Sequence, residues 1–143
     1  MNRTFPTTRL RRNRSTGFIR KLVSENKIDT SDLIYPMFLI DGTNKIEQID
    51  SMPGIVRHSI DNFLKEAEEI YKLGIPAIAI FPNIEASLRD AEGSEATNRK
   101  GLVPKAVREI KKHLPELGVM TDVALDPYTN HGHDGLLSDS GYI

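Results

Sequence analysis

The stretch Ser59-Ile-Asp-Asn-Phe-Leu-Lys-Glu-Ala-Glu-Glu-Ile-Tyr-Lys-Leu-Gly-Ile-Pro-Ala-Ile-Ala-Ile-Phe-Pro82 decides the fold. Its first half sets Ile60, Phe63, Leu64, Ala67, Ile70 and Tyr71 at helical spacing, so one helix face is apolar and the other is charged. Ser59 is a residue type suited to cap the helix start. Gly74 stops it, because glycine enters the left-handed backbone region without steric cost. After Ile75-Pro76, residues 77–81 are apolar without alternation, and Pro82 closes the run. An unalternating run of this length is a strand covered on both faces, the pattern of a parallel sheet.

The same reading extends outward. Leu33-Ile-Tyr-Pro-Met-Phe-Leu-Ile40 is apolar along its whole length, and Pro36 within it removes a ladder donor and predicts an irregular strand. Asp41-Gly42 is a turn, and residues 45–57, around Met52-Pro53-Gly54, suit a small hairpin. Residues 83–101 are polar and read as a long loop. A second helix opens near Pro104, carries the stripe Val103, Val107, Ile110 and Leu114, and ends at Pro115. Gly118 leads into a third strand, Val119 to Leu125, and Asp126 to Ile143 is loop-like.

The order strand, helix, strand, helix, strand predicts an α/β fold with a parallel sheet. Two architectures fit: an open doubly wound sheet, or part of a (β/α)8 TIM barrel. Both put functional loops beyond the C-terminal ends of strands. The long loops, 82–102 and 126–143, follow strands, whereas the short connections precede them. The third strand has no helix after it, and three parallel strands leave two bare edges. The expectation is therefore the first part of a larger domain, and a barrel of roughly 250 residues suits it better than a complete small sheet.

Composition narrows the chemistry. Of 143 residues, 38% are apolar and 27% charged, as in an ordinary soluble domain. There is no Cys, which excludes disulfides, cysteine-ligated metals and thiol nucleophiles within these residues. No apolar run approaches the roughly 20 residues of a membrane helix, and the basic N-terminus lacks a signal-peptide core, so the expectation is a cytoplasmic protein that does not bind membranes. Residues 1–27 carry eight Lys/Arg and one acid, Glu25, a net +7 against −8 for the remainder. Such an arm suits an acidic neighbouring subunit. Nucleic acid is the rival partner, but a recognition helix is lacking and Phe5 and Phe18 are the arm's only aromatics.

The third strand carries the most chemistry. Alternation puts Asp122, Ala124 and Asp126 on one face. An aspartate within a strand is costly to bury unpartnered, so it points either to a site or to a basic partner. Asp122 and Asp126 lie about 13 Å apart along an extended strand and meet only if the chain bends. In the loop beyond, His131-Gly-His133-Asp134 is either a metal-ligand pattern or a glycine-flanked polar turn. With no sulfur, its ligand chemistry favours Mg²⁺ or Mn²⁺ over structural zinc. Gly93-Ser-Glu-Ala-Thr-Asn98 lacks the glycine pattern of a phosphate loop. His58 and His113 flank helices and read as surface residues, and nothing marks Lys100 or Lys105 as a Schiff-base lysine.

Together these segments resemble the N-terminal part of the porphobilinogen synthase (delta-aminolevulinic acid dehydratase) family. The resemblance runs the whole length: Arg9-Leu-Arg-Arg12, Asp32-Leu-Ile-Tyr-Pro-Met-Phe38, Ser51-Met-Pro-Gly54, Leu73-Gly-Ile-Pro-Ala77, Phe81-Pro82, Gly93-Ser-Glu-Ala96, Gly101-Leu-Val103, Thr121-Asp-Val-Ala-Leu-Asp-Pro-Tyr-Thr129, His131-Gly-His-Asp-Gly135 and Asp139-Ser-Gly-Tyr142. It implies a TIM barrel, with residues 1–32 as a basic arm contacting a neighbouring subunit through Arg9, Arg11 and Arg12, and residues 33–143 as the first part of the barrel, about three βα units. It implies a homo-octamer condensing two 5-aminolevulinate molecules to porphobilinogen, with release of two waters, in tetrapyrrole and heme biosynthesis. Asp122 matches an active-site aspartate, and Asp126, Asp134 and Phe81 are substrate-pocket candidates. Zinc-dependent members carry three cysteines where this chain has Ala124, Asp126 and Asp134, so the resemblance is to the zinc-independent, Mg²⁺-responsive branch, whose allosteric Mg²⁺ site falls mostly outside this chain. The family's two Schiff-base lysines fall beyond Ile143, so the chain by itself is expected to be inactive. The alternative is an inactive piece serving only structure or assembly.

Overall fold

The computed structural model describes residues 3–143. One five-stranded sheet organises them, in the order β2-β3-β1-β4-β5. The strands are β1 (Ile34–Ile40), β2 (Ile46–Gln48), β3 (Val56–His58), β4 (Ala77–Asn83) and β5 (Gly118–Thr121). The centre is β1 against β4, parallel and in register from Ile34↔Ala77 to Ile40↔Asn83. β5 adds to β4 in parallel, Ala77↔Gly118 through Ile80↔Thr121. The expected hairpin is present: β2 pairs antiparallel with β3, and β3 then joins β1 in parallel at Phe38↔Arg57 and Leu39↔His58. The sheet is thus mixed at one edge rather than parallel throughout.

Alternation along the strands sorts side chains between two faces. Met37, Leu39, Ile78 and Ile80 are buried beneath α2 (Ile60–Lys72) and α3 (Leu102–His113). These helices supply Phe63, Ala67, Ile70, Leu102, Ala106 and Ile110 to the same core. α2 also packs on α3, so both crossover helices share one core while β1, β4 and β5 advance in a single direction. A doubly wound sheet reverses direction and covers both faces; this arrangement is the singly wound one of a barrel wall. Phe38, Phe81 and Met120 occupy the opposite face, where Met120 is exposed.

Several boundaries depart from the sequence expectation. β1 runs through Pro36 without irregularity, because β3 pairs β1 only at Phe38 and Leu39 and one flank of β1 at Pro36 carries no ladder. β4 continues through Pro82 to Asn83 for the same reason: its pairing with β5 has already ended at Ile80. α3 begins at Leu102, two residues before Pro104, which falls in the first turn, where its missing N–H costs nothing. Ser59 precedes α2 but does not cap it through its side chain. Its Oγ instead accepts the Lys45 N–H at 2.9 Å and donates to Asp61 at 2.6 Å, pinning the turn after β1 to the helix start. At Gly118 a Cβ would sit 3.0 Å from the Ala77 Cβ and 3.1 Å from the Pro76 carbonyl, so glycine permits the close approach of β5 to β4.

The arm contains α1 (Gly17–Leu22) and a 3-10 turn at Thr30–Asp32. Phe5, Leu10, Phe18, Leu22 and Ile28 are all exposed on it.

The core makes a direct prediction. Ile110→Ala removes a fully buried side chain and is expected to cost about 2–5 kcal/mol. Lys112→Ala, on the exposed side of the same helix, is expected to stay within about 0.5 kcal/mol. Urea midpoints at unchanged slope check both.

Candidate active site

The register of the sheet builds a row of side chains. Arg57 of β3 pairs with Phe38 of β1, and Phe38 with Phe81 of β4. The last β4–β5 pair is Ile80↔Thr121, so the next step along both chains sets Phe81 beside Asp122. Pairing in register keeps all four on one face. Phe38 and Phe81 stand with centroids 5.7 Å apart, tilted by 34°. The row floors a cleft of about 270 Å³ at the strands' C-terminal ends, lined also by Pro82, Asn83, Asp126 and Pro127. A cation bounds one end, carboxyls the other, and aromatic rings lie between. Arg57 is held at its end by Glu47, at 2.6 Å across the hairpin, and Arg89 holds Asn83 by a 3.0 Å bond to its Oδ1.

Asp122 and Asp126 meet in this cleft because the third strand is shorter than its apolar pattern suggests. β5 ends at Thr121. Asp122 Oδ1 then accepts the Ala124 N–H at 3.2 Å, a local bond that competes with the ladder and turns the chain. The alternation expected through Asp126 is therefore broken, and a bend supplies the proximity that an extended strand forbids.

The loop beyond is tightly organised. Asp134 Oδ1 accepts the Leu125 N–H at 2.7 Å and the Asp126 N–H at 3.0 Å. Thr129, almost wholly buried, donates its hydroxyl to the His133 carbonyl at 3.0 Å. A backbone bridge joins Thr129 to Asp90, and the Asn130 N–H donates to the Asp90 carbonyl at 2.9 Å, so the two long loops are stitched together. His131 and His133 stack at 5.7 Å, and His131 Nε2 lies 3.2 Å from the Ala91 carbonyl.

Burial, reinforced by the charges of Asp134 and then Asp122, pushes the Asp126 carboxyl above its ordinary value. The Asp126 and Leu125 amides hold Asp134 below its own. One carboxyl is thus biased to keep a proton, and its neighbour to stay ionised.

Of the sequence candidates, Asp122, Asp126 and Phe81 come together in the cleft, while Asp134 stands behind it as a backbone ligand and does not line it. Arg57 and Phe38 were not singled out in the sequence; the signal available was the hairpin, whose pairing with β1 brings Arg57 into the row. His58 is not a surface residue: it is half-buried at the end of β3, and its Nδ1 is buried without a partner. Lys100 and Lys105 line a separate small cleft with Asp41, Glu85 and Glu95. Ala124, Asp126 and Asp134, the positions to which the resemblance assigned the zinc ligands of other members, do not suit zinc here: Ala124 has no donor atom, and Asp134 spends an oxygen on two amides. Among the described residues no three His, Asp or Glu are grouped as a metal site.

The family model for delta-aminolevulinic acid dehydratase matches residues 7–143. The chain belongs to that family. The dehydratase of Bradyrhizobium diazoefficiens is 58% identical over 135 residues, covering 94% of this chain and 38% of that protein. The Chlamydia pneumoniae dehydratase is 45% identical over 128 residues, covering 90% and 39%. The crystal structure of the Toxoplasma gondii enzyme, in complex with the reaction product porphobilinogen, superposes with a TM-score of 0.89 at 41% identity, over 95% of this chain and 39% of that one. The fold is accordingly that of the (β/α)8 barrel family, represented by the arm and the first parallel strands. The chain spans about two-fifths of the length of these relatives.

Carboxyl titration followed by NMR checks the site's electrostatics. Asp126 is expected to titrate above, and Asp134 below, the ordinary aspartate value. The sign of the linkage follows. The folded state holds the Asp126 proton more tightly than the unfolded chain does, so that contribution is present at low pH and lost as pH rises through the elevated midpoint. Asp134 contributes in the opposite sense, above the ordinary aspartate value, and loses its contribution as pH falls through its lowered midpoint. Asp126→Asn is expected to abolish the first effect, read as thermal midpoints across a pH series.

Proposed function

We propose that the intact protein of which this chain forms part is a porphobilinogen synthase, a lyase that condenses two molecules of 5-aminolevulinate into porphobilinogen with loss of two waters, in heme and porphyrin synthesis. Family membership supplies the reaction. The observation that carries the reading to this chain's own residues is the row from Arg57 across Phe38 and Phe81 to Asp122 and Asp126. The substrate is a short zwitterion, with an ammonium at one end and a carboxylate at the other. Carboxyls gathered at one end of a cleft suit the ammonium, and apolar walls that exclude water strengthen that attraction. Burial and the neighbouring carboxyls push the Asp126 carboxyl up, which suits it to donate a proton in a dehydration, and Asp122 lies in the same cleft.

Among the described residues no lysine lines the cleft. Carbonyl activation through a Schiff base needs a lysine amine. We therefore assign that step to polypeptide beyond Ile143, and the 143-residue chain is expected to show no turnover. Colorimetric detection of porphobilinogen checks this: product formed by the intact protein and none by the chain alone supports the reading, and product from the chain alone overturns the division. Asp122→Asn in the intact protein is expected to lower kcat by about 10²-fold or more, the scale of a lost acid–base or charge contact.

The metal is Mg²⁺ rather than zinc in this proposal, acting outside the cleft, because Ala124, Asp126 and Asp134 replace the thiolates that zinc favours. No step is routed through it. Activity lost to EDTA and restored by Mg²⁺ supports the assignment; restoration by Zn²⁺ alone overturns it. The protein is further proposed to be a cytoplasmic homo-oligomer, an octamer, whose arm, through Arg9, Arg11 and Arg12, docks on a second subunit. The exposed apolar residues Phe5, Leu10, Phe18 and Leu22 on a net-positive segment support that docking. The arm does not need a nucleic-acid partner, and no helix among the described residues is long and apolar enough to cross a membrane.

A further inference from the structure

Asp134 stands behind the cleft, yet it accepts hydrogen bonds from two consecutive amides, Leu125 and Asp126, through a single oxygen. Those amides belong to the segment that carries Asp126 and Pro127 into the cleft. Inside the ring of chain that this closes, the Tyr128 and Thr129 amides donate to the Leu125 carbonyl at 2.9 and 3.1 Å, and the buried Thr129 hydroxyl reaches the His133 carbonyl. A bond from ionised carboxylate to amide is stronger than a neutral one, and two on one oxygen fix the direction of both amides. From this geometry we infer that Asp134 is a positioning residue: it clamps the turn after β5 so that the Asp126 carboxyl joins Asp122 opposite Phe81 in one cleft.

The clamp ties residue 134 to residues 125–126 by carboxylate–amide contacts. It acts through the backbone, so an isosteric amide should largely replace it. The carbonyl oxygen of Asn can accept from the same two amides, without the charge. Ala cannot. A role resting on the negative charge, such as direct capture of an ammonium group, would be lost equally in both.

This inference rests on the synthase reading where activity is concerned, so the experiment has two independent arms, both on the intact protein. The first is hydrogen exchange at the Leu125 and Asp126 amides, which needs no activity. Protection is expected in the wild type and in Asp134→Asn, and is expected to be lost in Asp134→Ala while the core amides of β1 and β4 stay protected. The second is steady-state turnover of 5-aminolevulinate. Asp134→Ala is expected to lower kcat by about 10²-fold, as a displacement of roughly 1 Å at a reacting group can. Asp134→Asn is expected to stay within about 10-fold of wild type. Equal loss of kcat in Asn and Ala, or amides unprotected in the wild type, overturns the clamp. Absence of turnover in the wild type overturns the synthase reading and leaves the exchange arm to decide the clamp.

Discussion

The parallel ladder between β1 and β4 is the constraint on which the rest of the structure depends. Its seven residue pairs run unbroken from Ile34↔Ala77 to Ile40↔Asn83. Because the pairs are in register, Met37, Leu39, Ile78 and Ile80 all face the helices, and Phe38 and Phe81 both face away. A slip of one residue would exchange the two faces. It would bury Phe81 under α2 and α3 and expose the isoleucines. One pairing therefore sets both the core and the floor of the cleft, and the short strands on either side inherit their alignment from it. The hydrophobic core favours that register strongly, since Leu39, Ile78 and Ile80 are almost completely excluded from water.

The cleft is built from what the sheet does not use. β5 stops pairing at Thr121 because the side chain of Asp122 binds its own backbone at Ala124. The chain released by that turn returns over the strand ends, where Thr129 and Asp90 stitch it to the other long loop. Function on strand-end loops is a general feature of parallel α/β folds. Here the polar residues lie where the hydrogen-bond demand of the ladder has ended and loop backbone and side chains satisfy one another. Polarity around the cleft is also graded: burial pushes the Asp126 carboxyl up, while the loop amides hold Asp134, standing behind it, down.

Kinship with delta-aminolevulinic acid dehydratases explains features that have no local rationale in this chain. The helix-free face of the sheet exposes Met120, and the arm exposes Phe5, Phe18, Leu22 and Ile28. Apolar side chains of this size, gathered on a face or a strap, are suited to cover by other polypeptide. In a barrel the helix-free face of the strands turns inward and its side chains pack in layers, and the strand ends gather into one mouth.

The sequence by itself determined the elements and their order. The helical stripe from Ile60 to Tyr71, the glycine at 74 and the unalternating run at 77–81 are local signals, and each resolved into the expected element. The hairpin at 45–57 and the family motifs from Asp122 to Gly135 were legible in the same way, and Asp122, Asp126 and Phe81, named as candidates from the resemblance, lie along one cleft. Only the tertiary structure decided how far each strand extends and what it meets. Pro36 and Pro82 are tolerated because their neighbours on one flank do not pair there, which depends on strands distant in sequence. Arg57 and Phe38 join the cleft only through register. Asp134 passes from a pocket residue to a backbone ligand because the bend at Asp122 brings residues 125–126 to it. Secondary structure follows from side-chain spacing along a few turns of chain, whereas register, burial and proximity follow from which surfaces exclude water together, and no local pattern encodes that.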